Sequence, residues 1–301
     1  MKKWFNIFVY FSLVFLIVAL VKADYLKIPE IQNHAYIISG LLFVCLGFIF
    51  DTYSWYRTLI HFGYGQVTVS DAIISMGLSI FGKYVPGKVW SIIGRSAYIA
   101  RKYDLPEKNT AIVSLNAQFI SFWVGLFLGI IGFSFIGSRY YLLELSLLVW
   151  VFFTVLLFSR FFHSLVIKLI RKIFKKEVTI PSLSIQSTLS VLPWFLINWM
   201  IWCAGFYFLA KGLSPGSFTI FLGLAFASAG TLSLLALIIP GALGVREGLL
   251  GIILVTAGFN ESLAVTVSLA SRLWFLSGEL FIFLVALILE RKSVRRVSAR
   301  K

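Results

Sequence analysis

Two short stretches place charge in very apolar surroundings. "FGKYVPGKVWSIIGR" (81–95) sets Lys83, Lys88 and Arg95 around Pro86-Gly87, and "PGALGVREG" (240–248) follows Pro240-Gly241 with Arg246 and Glu247. Further on, Arg272 and Glu279 stand seven residues apart, so a helix carrying both presents them on one face. These residue types suit the holding of an anion. Proline removes a backbone donor and glycine loosens a helix, so each Pro-Gly pair marks a break. A helix that begins just after a break turns its positive end and its free N–H groups toward it, a natural anion seat. Arg246 and Glu247 are adjacent, about 100° apart around a helix. Each is therefore expected to find its partner elsewhere, with Arg272, Glu279 and Asp51 as candidates.

A charge at the centre of a bilayer costs about 2.5–3.5 kcal/mol on insertion scales. Arg246, Glu247, Arg272 and Glu279 together would cost on the order of 10 kcal/mol without pairing or water. A purely structural ion-pair network is the competing reading, and Lys83 and Lys88 could instead snorkel to the inner interface. No pairing of a nucleophile with histidine occurs in the apolar segments, and there is no phosphate-cradling Walker loop, so neither an enzyme nor a bound cofactor is expected. The three histidines, His34, His61 and His163, form no metal-binding spacing.

The elements that must position these residues follow from composition. Of 301 residues 59% are apolar and 13% charged, against about 25% charged in soluble domains. Six segments read as membrane spans of an all-α polytopic protein, at about 4–21, 35–55, 110–136, 140–161, 188–210 and 263–289. The first, after Lys2-Lys3, is longer than the apolar core of a usual signal peptide and reads as a retained span. Two further segments, about 67–100 and 218–257, carry the breaks and read as re-entrant hairpins. The return arm of the first, Lys88 to Ala100, is too short and too polar for a comfortable crossing. The whole chain, 1–301, reads as one integral membrane domain. Cys45 and Cys203 fall in spans and behave there as small apolar residues. Trp194, Trp199 and Trp202 suit packing or an interfacial belt.

Lys and Arg set the orientation. With the N-terminus inside, 19 fall in inner regions and four in outer loops, so both termini are expected in the cytoplasm, across a plasma membrane. The net charge of +15 then reflects loops facing an anionic inner leaflet and not nucleic acid. The basic segment 163–178 has the period of a helix lying on that leaflet. Shifting residues 75–94 by 154 gives 229–248, with five of 20 identical: Leu78/Leu232, Ser79/Ser233, Pro86/Pro240, Gly87/Gly241 and Gly94/Gly248. The spans before the two breaks run in opposite directions, so 35–136 and 188–289 read as an inverted repeat, in which paired breaks mark a binding site.

"GKYVPGKVWSIIGR" and, some 150 residues later, "IPGALGVREG" resemble the lysylphosphatidylglycerol synthase transmembrane-region family, the flippase-like domain of the multiple peptide resistance factor, which also occurs as stand-alone proteins. The likeness extends over essentially the whole chain. It implies movement of an amphiphilic lipid between leaflets, and by motif it implicates Pro86, Gly87, Lys88, Arg95, Pro240, Gly241, Gly244, Arg246 and Glu247. Ala242 stands where a second glycine is common. The sequence stops at Lys301 without the soluble aminoacyl-transferring domain, so synthesis of lysylphosphatidylglycerol is not expected. The first expectation is thus a flippase-like transporter of an anionic or amphiphilic phospholipid, glycolipid or polyprenyl-linked lipid, passing through a cleft between the hairpins. The alternatives are a non-transporting membrane partner of a glycosyltransferase or other enzyme of glycolipid and polysaccharide assembly, and an enzyme acting on a lipid substrate.

Overall fold

A computed structural model describes residues 30–85, 89–136, 140–159, 164, 185–214, 216, 219–233 and 244–298. Among them the chain is helical, with nine α-helices and no strand. In chain order these are α1 (His34–His61), α2 (Val69–Ser79), α3 (Trp90–Lys102), α4 (Glu107–Ile136), α5 (Tyr140–Phe158), α6 (Ile185–Leu213), α7 (Leu224–Leu232), α8 (Val245–Thr256) and α9 (Glu261–Ser298). Four of the expected spans coincide with helices long and apolar enough to cross a membrane: His34–His61, Glu107–Ile136, Gln186–Leu213 and Glu261–Ser293. The segment expected at 140–161 is α5. The expected span at 4–21 and, Ser164 aside, the basic segment 163–178 lie outside the described residues.

Local chemistry explains where elements begin. Asn33 Oδ1 accepts from the N–H groups of Ala35 and Tyr36 at 3.0 and 3.3 Å and so opens α1. Thr68 does the same for α2 through the N–H of Asp71, at 3.2 Å. After Ser79 the coil tightens into a 3-10 turn, Ile80–Tyr84, before the first break, and a second such turn, Ile220–Gly223, leads into α7. Pro86, Gly87 and Lys88, like Pro240 and Gly241, lie outside the described residues. What is described is the helix on each side of each break, and in both cases the two arms pack together: α2 on α3, and α7 on α8.

The bundle is held by close approaches at small residues, as expected where lipid offers no hydrophobic drive between helices. Antiparallel α1 and α6 form its centre: Gly40 meets Gly205 and Phe48 meets Trp202, with ring centroids 5.2 Å apart. At Gly47 the Trp202 ring lies 2.2 Å from where a Cβ would stand, so no larger residue fits there. On the other side α9 runs parallel to α1, and Trp274 Nε1 donates to the Gly40 carbonyl at 2.7 Å. α2 lies antiparallel on α9, Gly77 against Ile282 and Ala286. Likewise α7 lies antiparallel on α4, with Ser228 and Leu224 against Gly129 and Gly132. Large apolar side chains also cover the outside, among them Leu42, Leu46 and Ile49 on α1 and Leu280, Leu284 and Ile288 on α9. So much exposed apolar surface marks a face that meets lipid rather than water.

Candidate functional site

α9 brings the flanks of the two breaks together. From the first break comes the end of the 3-10 turn: Lys83 Nζ lies 2.5 Å from Glu279 Oε1, and Tyr84 Oη donates to Glu279 Oε2 at 2.8 Å. The second flank is the start of α8, where Arg246 and Glu247 face Arg272 and Ser271 one helix away. Arg272 Nη1 reaches Glu247 Oε1 at 3.5 Å, and Arg246 Nη2 reaches Ser271 Oγ at 3.4 Å. Arg246, Glu247, Arg272, Glu279 and Tyr84 are all buried, whereas the Lys83 side chain keeps 30% of its surface. Aromatic faces complete the walls. Arg246 lies over Phe226 and Phe275, 5.3 and 5.4 Å from the ring centroids, and Arg272 lies 5.1 Å from that of Tyr84.

Two expectations change in detail. Arg246 and Glu247 do meet, Nε to Oε1 at 3.4 Å, although they are neighbours in sequence. The reason is that Glu247 folds back over the helix start, where its Oε2 accepts the N–H of Gly244 at 2.9 Å. Gly244 can serve there because its φ of +81° suits a residue without Cβ. The positive end of α8 therefore already holds a carboxylate of its own, and an incoming anion would meet guanidinium groups instead. Arg246 Nε itself has no hydrogen-bond partner among the described residues.

Arg95 belongs to a second, neighbouring place. From α3 it donates to Ser114 Oγ and to the Ser114 carbonyl at 2.6 and 2.7 Å, and it lies over Trp55 at 4.8 Å. Asp51 is in electrostatic range of Arg95 and Lys83, so it belongs with the first half's cations and not with Arg246. Lys83 in turn feels Arg272 and Arg246 as well as Glu279, which makes it the link between the two halves. Tyr84, Phe226, Phe275 and Ser271 were not singled out from sequence. Tyr84 alone had a signal, its place beside Lys83 just ahead of a break. Trp199 and Trp202 are buried packing residues, and Trp194 lies under Arg57 at 4.9 Å.

A third cluster ties the open ends of the first pair of arms. Asp71, in the first turn of α2 and outside the four span candidates, accepts from Lys102 and Tyr103 at the end of α3 and from Thr68 Oγ1 at 2.8 Å. Burial pushes this carboxyl up, but the hydrogen bonds from Lys102, Tyr103 and Thr68 outweigh it and hold it below the usual range. A lowered pKa contributes stability that is complete above the unfolded value of about 3.9 and is lost as pH falls through the folded one. The melting-temperature gap between wild type and Asp71→Asn is therefore expected to stay constant from neutral pH to about 5 and to close below about 4. A gap that does not change with pH would show that the Asp71 charge does not hold the arms.

The family model described as Lysylphosphatidylglycerol synthase TM region matches residues 4–278. No curated protein and no solved structure matches the chain.

Proposed function

The chain belongs to the lysylphosphatidylglycerol synthase transmembrane-region family, and from that premise we propose that it is a flippase-like transporter that carries an anionic or amphiphilic lipid between leaflets. The observation that carries the reading is the charge cluster where the flanks of the two breaks converge. Among the described residues three cations of that cluster (Lys83, Arg246 and Arg272) face two carboxylates (Glu247 and Glu279), which leaves one positive charge to be balanced. Burying an uncompensated charge is strongly unfavourable. A lipid phosphate would supply the missing negative charge, while the acyl chains remain in the membrane. In this reading the protein makes and breaks no bonds, and it lies in the plasma membrane with both termini in the cytoplasm.

The pattern of helix contacts supports an inverted repeat with two re-entrant hairpins as the machinery. α2 packs on α9 as α7 packs on α4; α3 packs on α4 as α8 packs on α9; α1 touches α2 and α9 as α6 touches α7 and α4. Exchanging α1 to α4 with α6 to α9 leaves this set unchanged, and the antiparallel α1–α6 pair lies at the centre of the exchange. A two-fold relation of that kind presents one hairpin to each side of the membrane. Purified protein in vesicles is expected to move fluorescent phosphatidylglycerol between leaflets faster than protein-free vesicles do. A rate equal to the protein-free rate would remove the transport reading and favour a partner of a lipid-modifying enzyme.

A further inference from the structure

A groove of about 700 Å³ runs between α8 and α9 and ends at Glu247. Gly244, Gly248 and Gly251 line it from α8, at a spacing that puts all three on one face. Among the described residues nothing stands within 4 Å of a Cβ built on Gly244 or Gly248, and at Gly251 only Ser268 Oγ does, at 3.6 Å. At the corresponding position of the first half, Gly94, the space is closed by Ser79 Cβ at 2.8 Å. Among the described residues the lane is thus open on one half and shut on the other. Ser268 supplies a second, independent sign of a ligand. It is 2% exposed and lines the groove, yet its Oγ has no hydrogen-bond partner among the described residues. A helical serine ordinarily turns to a carbonyl of the preceding turn, as Ser190 does to Gln186. An unpaired buried hydroxyl costs about 1–3 kcal/mol. Among the described lining residues the charged ones are Glu247 at the inner end and Glu261 at the outer, with no lysine or arginine. The groove wall therefore offers hydrogen-bond acceptors above an apolar lane about 18 Å long, from 12 helical rises of 1.5 Å.

We propose that this groove is the lateral path by which one acyl chain of a glycerophospholipid reaches the charge cluster, with a headgroup hydroxyl donating to Ser268 Oγ or to the Glu247 carboxylate. The proposal rests on the reading of the cluster as a lipid site. Glu247 would then be shared, facing the guanidinium groups on one side and the groove on the other.

The test uses the full chain in phosphatidylcholine vesicles holding a small fraction of phosphatidylglycerol with a diazirine in one acyl chain. After irradiation, adducts are located by peptide mass spectrometry. The expected adducts fall on Ser268, which lines the groove and is 2% exposed, out of reach of bulk lipid. Gly251→Leu places a side chain beside Ser268 and, independently, Gly248→Leu places one in space that is open among the described residues; each is expected to abolish those adducts. Adducts at the exposed Leu284 and Ile288 should persist in both variants. Adducts confined to Leu284 and Ile288 in the wild type, or adducts at Ser268 that survive in both variants, would overturn the groove. Adducts at Ser268 in a protein that moves no lipid would leave the groove standing and remove the transport reading. Lipid movement with no adduct in the groove would do the reverse.

Discussion

Glu247→Gln is expected to lower stability by about 3–5 kcal/mol, the cost of removing one partner from a buried ion pair. Its carboxylate is the shared neighbour of Arg246 and Arg272, at 3.4 and 3.5 Å, and the acceptor for the N–H that opens α8. Glutamine keeps the shape and the acceptor but leaves two guanidinium groups, 7% and 3% exposed, without that charge. The loss should appear as a lower melting temperature in detergent and a smaller monodisperse fraction on purification. Arg272→Met in the same chain removes one of the stranded charges, so the double variant should recover much of the loss, as expected of residues in one network. Equal melting of Glu247→Gln and wild type would mean that water or the flexible arginine stems already satisfy those charges.

Lys83 separates function from folding. Its side chain is 30% exposed, and its partner Glu279 keeps the hydrogen bond from Tyr84 when Lys83 is removed. Lys83→Met is therefore expected to fold, with a smaller loss of stability than Glu247→Gln. Transport should respond more strongly. Among the described residues Lys83 is the accessible cation of the cluster, and losing its attraction for a phosphate is expected to slow lipid movement tenfold or more, about 1.4 kcal/mol. Lys83→Arg should retain most of the rate. A folded Lys83→Met protein with wild-type movement would make the Lys83–Glu279 pair a structural tie.

How much of this was legible in the sequence depends on how local each signal is. The helical class and four of the spans follow from apolar length alone. Arg272 and Glu279 could be placed on one helix face from their spacing, and that face proved to be where both breaks are served. The partner of Lys83 could not be read, because Glu279 lies 196 positions away and is met only once α2 lies against α9. Snorkelling toward the interface is an equally good local reading for Lys83, and only the packed structure shows its pair with Glu279. For Arg246 and Glu247 the helical-wheel argument failed at the helix start. There a glycine at positive φ lets the glutamate fold back over the first turn, toward both the backbone and its neighbour. Arg95 shows the reverse limit. Its motif suggested a common site with Arg246, but Ser114 and Trp55 hold it in the first half.

The central claim, that the converging charges hold a lipid phosphate, is tested most directly by comparing wild type with Arg246→Gln in one vesicle preparation that reports phosphatidylglycerol movement. Arg246 is the natural choice because its Nε has no hydrogen-bond partner among the described residues, while Glu247 keeps Arg272 when Arg246 is neutralised. The account predicts that Arg246→Gln reconstitutes as well as wild type, melts within a few degrees of it, and moves phosphatidylglycerol no faster than protein-free vesicles do. A folded Arg246→Gln protein that moves the lipid at the wild-type rate would contradict it.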